Sequence, residues 1–291
     1  MYLCTVINQN LNQFKMIENE LYHTVLVLAG IANLSMAIVL LHGNLAYSEY
    51  TVYRRARRLV ALCFAVFAVG FLLHAHFQWR NTWPAAASAL SLSYFHVGGV
   101  LFGWSHTSLM HPEYLKKRVV IRDLAILLIG VSCYWLAVAC STSNHCLLCC
   151  SLPFVKIQFF FAIFFVHALF ITYMFYRTYY RVRRSLMRKP ADDNAPGWWN
   201  EQLKRTVLNG HHSFVIACHL IVLFGIGSIV VTAVFPTQIT PYTVLMCMGI
   251  AVYCYIFYSL MEYGNVIEAA TCAAEDAEDE MRHKEKPMRQ I

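Results

Sequence analysis

The chain has 291 residues, of which 58% are hydrophobic and 13% charged, and its formal net charge is +7. A soluble domain carries about a quarter charged residues, so this composition excludes an ordinary soluble globular protein. It points to an all-α, polytopic membrane helix bundle.

Bilayer hydrocarbon is about 30 Å thick and needs roughly 20 apolar helical residues to cross it. Seven blocks meet that requirement, at about 21–43, 59–79, 84–110, 124–141, 154–176, 212–234 and 242–261. Residues 1–20 are polar, with Lys15, Glu18 and Glu20, and lack the basic start and short apolar core of a cleaved signal peptide. They are expected to form a short extracytoplasmic N-terminus, with 21–261 the seven-helix transmembrane domain and 262–291 a charged cytoplasmic tail.

Charge sets the orientation. Of the 23 Lys and Arg residues, 20 fall in the first, third and fifth connections and the tail; Lys15, Arg80 and Lys156 fall on the other side. Bases beside spans stay on the cytoplasmic side. The expectation is therefore an N-terminus outside and a C-terminus inside. The basic clusters face anionic lipid or a cytoplasmic partner, and direct nucleic-acid binding is not expected.

Along the chain, the second and third spans carry His74 and His76 near the outer end, then His96 and His106. His167 lies on the fifth span and His219 on the sixth. Intramembrane ionisable groups are functional candidates, so His96, His106, His167 and His219 form the candidate ligand pocket. They are equally open to a structural reading, as neutral rings bonding between helices. Counting about 1.5 Å per residue, His96 is expected near mid-membrane, His106 near the inner face, and His167 and His219 at similar inner depths. That unequal spacing disfavours a stacked pair of haem sites. Gly99 and Gly103 form a small-xxx-small pair, expected to pack inside the bundle.

The fourth connection, an outer one, gathers Cys140, His145, Cys146, Cys149 and Cys150 in or beside the stretch CSTSNHCLLCC. Disulfide pairing, unpaired apolar thiols and a soft-metal or redox site stay open there. In the fifth connection KPADDNAPG (189–197) interrupts helix, and WWNEQLKR (198–205) fits a segment at the headgroups.

The sixteen carboxylates all fall outside the expected spans or at their edges, which disfavours proton-coupled transport and intramembrane acid hydrolysis. The last span has no Lys for a retinal Schiff base, and no Asp-Arg-Tyr or Asn-Pro-x-x-Tyr pattern of G-protein-coupled receptors is present. No nucleophile–base spacing or phosphate loop appears, so neither an enzyme nor a cofactor is expected.

Three stretches carry a resemblance: YRRARRLVALCFAVFAVGFLL (53–73), LFGWSHTSLMHPEYLKKR (101–118) and YIFYSLMEYGNV (255–266). Together they resemble the membrane half of a Bacteroidota regulator family, in which a multi-helix module precedes a cytoplasmic AraC-type helix-turn-helix domain. The resemblance covers roughly 20–270 and implies a bacterial inner-membrane sensor without catalytic residues. The output domain is not expected here, because the tail, EAATCAAEDAEDEMRHKEK, instead reads as a continuing helix with i, i+4 pairs Glu278/Arg282 and Glu280/Lys284. The expected function is a non-enzymatic sensor signalling to a separate cytoplasmic regulator or kinase, its ligand unnamed by the sequence. A small-solute transporter or channel and a His-ligated membrane redox protein are the alternatives.

Overall fold

In the computed structural model, the described backbone covers residues 2–42, 51–110, 114–142, 157–188, 201–235 and 238–285, with side chains described over the membrane-facing parts of these segments. Every element among the described residues is helical: α1 (Tyr2–His42), α2 (Thr51–Phe77), the single turn α3 (Trp79–Thr82), α4 (Pro84–Met110), α5 (Lys117–Thr142), α6 (Ile157–Arg188), α7 (Glu201–Val234) and α8 (Ile239–Glu285).

The helices follow the apolar blocks but overrun them. α1 begins at Tyr2 rather than near 21, because residues 2–20 hold neither Gly nor Pro to stop it. α5 begins at Lys117, seven residues ahead of the expected span, which draws Asp123 into the helix. Among the described residues, six helices contain segments long and apolar enough to cross a membrane: Gln13–His42, Thr51–Phe77, Pro84–Leu109, Lys117–Cys140, His212–Thr232 and Ile239–Gly264. α6, which holds the expected fifth span, is not among these six.

Between α2 and α4 the chain turns within seven residues. The Gln78 N–H still donates to His74 O at 3.1 Å, closing the last turn of α2, while Gln78 itself takes the left-handed conformation (φ 49°) that redirects the chain. Pro84 then opens α4, where its missing N–H is no loss. The turn points Arg80 inward, where it is buried. Its guanidinium donates to Ser88 Oγ at 3.2 Å, Ser91 Oγ at 3.3 Å and Tyr242 Oη at 3.0 Å, and lies 3.7 Å from the Tyr242 ring centroid. This cluster ties α3 and α4 to α8.

The core lies where α2, α4 and α8 meet. Phe67 stacks on Tyr253 at 4.9 Å, and Phe64, Phe71, Tyr94 and Phe102 close around them. α1 packs on α2 and α8; α5 and α6 pack on α4 and on each other; α7 leans chiefly on α8. α1 and α8 run parallel. Glu18, near the start of α1's membrane segment (Gln13–His42), accepts from the Thr240 N–H (2.8 Å) and hydroxyl at the start of α8, while Tyr53, just beyond α1's far end, donates to Leu260 O at 3.1 Å.

The outward faces are apolar. Leu28, Ile31, Val69, Leu128, Ile129 and Leu223 are each more than half exposed, a surface water would not favour and hydrocarbon would.

Candidate functional site

Four expected pocket histidines are all described, and they do not converge on one point. His96 and His167 meet directly: His96 Nε2 is 2.8 Å from His167 Nδ1, so the expected difference in depth does not separate them. His106 lies apart, stacked 4.6 Å from the Phe214 ring of α7. His219 is part-buried, its Nδ1 2.7 Å from Val215 O and its ring against Tyr176.

The His96–His167 pair sits inside a larger polar chain. Tyr134 Oη on α5 is 3.0 Å from His96 Nδ1. At the other end, His167 Nε2 is 3.7 Å from Asp123 Oδ1. Asp123 Oδ2 accepts from the Trp104 indole at 2.8 Å, and Asp123 Oδ1 accepts from Arg122 Nε at 2.8 Å. Asp123 is fully buried, as are His96 and Tyr134 to within a percent. Asp123 was expected just before a span; it lies instead seven residues into α5, inside the candidate span Lys117–Cys140, because α5 starts earlier than its apolar block.

An ionised carboxylate accepts only. His167 Nε2, at 3.7 Å from Asp123 Oδ1, is beyond hydrogen-bond reach and has no hydrogen-bond partner; the carboxylate beside it favours the tautomer with Nε2 protonated and Nδ1 an acceptor. His96 then donates from Nε2 and accepts at Nδ1 from the Tyr134 hydroxyl. The two hydrogen bonds of Tyr134–His96–His167 therefore point toward the carboxylate, which the chain approaches without bonding to it. These tautomers follow from the partners rather than from observed hydrogens.

Close helix approach makes the chain possible. A Cβ on Gly130 would stand 3.0 Å from His96 Cε1, so a larger residue on α5 would push the ring away from Tyr134. A Cβ on Gly103 would overlap Ile171 of α6; this glycine lets α4 and α6 touch. The small-xxx-small face of α4 thus packs within the chain, as expected.

At one end, the Arg122 guanidinium also lies 4.6 Å from the Phe170 ring centroid. Tyr114, in the turn before α5, is buried nearby; burial pushes its phenol above the ordinary tyrosine value, with the Asp123 charge adding and Arg122 opposing.

Beside this chain is a cavity of about 120 Å³ between α4, α6, α7 and α8. Phe95, Phe102, His106, Phe164, Phe224 and Tyr253 form much of its wall. Phe164 also packs 5.2 Å from the His96 ring, so chain and cavity share a wall. The rim residues Phe165, Leu169 and Ile226 are more than a third exposed, which opens the cavity sideways to the lipid-facing surface.

Of the expected cysteine site, only Cys140 falls among the described residues; His145, Cys146, Cys149 and Cys150 lie outside them, as do 189–197 and the paired Trp198 and Trp199. Among the described residues no three His, Cys, Asp or Glu side chains gather in a metal-binding arrangement.

Sequence reasoning missed Asp123, Tyr134, Trp104 and Arg122. One signal was present: Asp123, Gly130 and Tyr134 are spaced i, i+7, i+11, one face of a helix.

The fold and its apolar exterior define a multi-pass α-helical membrane protein. No protein-family profile, curated protein or solved structure matches the chain.

Proposed function

We propose that this protein is a non-enzymatic, receptor-like membrane module that binds a ligand between its helices and signals through its cytoplasmic face to a separate regulator or kinase. The observation that carries the reading is the placement of α8. This helix lines the cavity through Val252 and Tyr253 and then runs unbroken to Glu285. It therefore extends about 30 Å past Gly264, where its membrane segment ends. A ligand favouring one packing of α4, α6 and α8 shifts the population toward it, and a continuous helix carries the shift out of the membrane.

The proposed topology has seven spans, α6 being the seventh, with the N-terminus outside and the C-terminus in the cytoplasm of a bacterial inner membrane. The parallel run of α1 and α8 supports it, because first and last helices point the same way only if an odd number of crossings separates the termini. The distribution of bases supports the orientation. The resemblance to the Bacteroidota membrane regulators belongs to the same proposal.

A second reading is proton-coupled transport of a small solute. It is favoured by the Tyr134–His96–His167–Asp123 chain, the type of constellation that relays protons in pumps and transporters.

The deciding experiment needs no ligand. Gly225 lines the cavity, and a Cβ there would meet nothing within 4 Å, so Gly225→Leu fills the cavity in place of a ligand. Spin labels at Arg54 and Glu268 in nanodiscs should report a changed distance distribution in that variant. An unchanged distribution removes the sensor reading. Proton uptake by proteoliposomes under a solute gradient, lost in Asp123→Asn, would establish transport instead.

A further inference from the structure

We propose that the cavity between α4, α6, α7 and α8 is a binding site for an apolar molecule bearing a hydroxyl group, drawn from the hydrocarbon phase. The inference rests on the receptor reading above and names its ligand class.

The argument begins with two unsatisfied atoms. His106 is 2% exposed and lines the cavity; its Nε2 has no hydrogen-bond partner. Tyr253 is likewise 2% exposed and lines the cavity, and its hydroxyl has no partner. Buried polar atoms are nearly always paired. Two orphans on the wall of one cavity mark where a ligand's polar group sits.

The partner of the other ring nitrogen defines that group. His106 Nδ1 is 2.9 Å from Phe102 O, and a carbonyl oxygen only accepts, so Nδ1 carries the proton. In the neutral ring Nε2 is then a lone-pair acceptor and calls for a donor. The Tyr253 hydroxyl supplies a donor of its own to an oxygen. A hydroxyl group both donates and accepts; a carboxylate, an ether or a ketone cannot donate.

Apart from Thr172 and Cys218, the remaining wall is apolar. Phe67, Phe95, Phe164, Phe175, Ile221 and Ile229 all line the cavity, which suits a hydrocarbon chain or ring system. Entry follows from packing. α6 and α7 touch sparsely, and the rim side chains Phe165, Leu169 and Ile226 face outward. The route therefore opens between those helices into lipid rather than into water, and the ligand is a lipophilic alcohol.

Native mass spectrometry of the full chain, released from detergent, tests this with three probes of equal length: dodecan-1-ol, 1-methoxyundecane and dodecanoate. The methyl ether keeps the oxygen and loses the donor. The alcohol should be retained about tenfold more tightly than the ether, the worth of one hydrogen bond to an otherwise unsatisfied buried group, and dodecanoate should not exceed the ether. His106→Phe should abolish the preference, Tyr253→Phe should weaken alcohol and ether alike while leaving the preference, and Gly225→Leu should weaken every probe. Should His106→Phe fail to fold, the comparison of alcohol with ether in the unaltered chain still decides. Equal retention of alcohol and ether, or a preference that survives His106→Phe, overturns the hydroxyl assignment. Retention of all probes unchanged by Gly225→Leu overturns the cavity as the site. Alcohol binding through His106 without movement of α8 leaves this assignment intact and removes only the receptor reading.

Discussion

His96 on α4 and His167 on α6 face each other nitrogen to nitrogen, Nε2 to Nδ1 at 2.8 Å. One ring must donate and the other accept, so the state of each fixes that of its neighbour. Through Tyr134 the same constraint reaches α5, and three helices are joined by two hydrogen bonds of one direction, with the Asp123 carboxylate 3.7 Å beyond their end.

That coupling is measurable. His96→Phe and His167→Phe should each destabilise the bundle, and the double variant should lose less than their sum by about 1 kcal/mol, the coupling of residues in one network. Unfolding by denaturing detergent in mixed micelles gives the cycle. Strict additivity would show that the two rings act independently.

Asp123 holds the charged end of the chain. Asp123→Leu removes the acceptor for both Trp104 and Arg122 and should cost about 3 kcal/mol, the lower end for breaking a buried pair, because Arg122 is partly exposed. Asp123→Asn keeps an oxygen for the Trp104 indole and should cost less. Thermal unfolding of the two variants ranks them, and Trp104→Phe should narrow the difference.

Close contact of α4 and α6 depends on Gly103. Gly103→Val should destabilise by about 2 kcal/mol through overpacking against Ile171. Ile171→Ala in the same chain should recover part of the loss. Failure of the second substitution to rescue the first would place the strain elsewhere.

Glu18 stands in for a capping residue, since it belongs to α1 yet satisfies the N-terminus of α8 at Thr240. Glu18→Ala should cost about 1 kcal/mol, as for loss of a helix cap, and should speed amide exchange at Thr240 while leaving the middle of α8 protected. Equal acceleration throughout α8 would argue for a global effect.

The proposed topology makes a separate demand. Cysteine labelling in intact cells and in inverted vesicles should place position 190 in the cytoplasm and position 145 outside. Both on one side would remove the seven-span arrangement.

Much of the architecture was legible because a bilayer imposes length and apolarity on any crossing helix. The block at 84–110 matches α4 almost residue for residue, framed by Pro84 at one end. Helix ends were less legible. Nothing in the apolar pattern shows that α1 starts at Tyr2 or that α5 starts at Lys117, since polar residues continue a helix wherever neither Gly nor Pro stops it. Asp123 was lost for that reason: placed one residue before the apolar block, it reads as an edge residue, while its neighbours Trp104 and His167 come from helices distant in sequence. The histidines were found by type, but their pairing depends on helix rotation, and only Gly130 hinted at it. The cavity was not legible at all, because a void is made by the sparse contact of α6 and α7 rather than by any residue.

Tyr53 and Leu260, which join α2 to α8, are separated by 207 positions. At ribosomal speeds of roughly 5–20 residues per second, the seat that α8 takes against α1 and α2 stands empty for about 10–40 s after its walls have been made. In that interval Thr240 and Leu260 have not been made, so the contacts that Glu18 and Tyr53 make with α8 cannot form. The last helix therefore acts as a keystone set after the arch is standing, and the insertion machinery, or lipid, must hold the gap until it arrives.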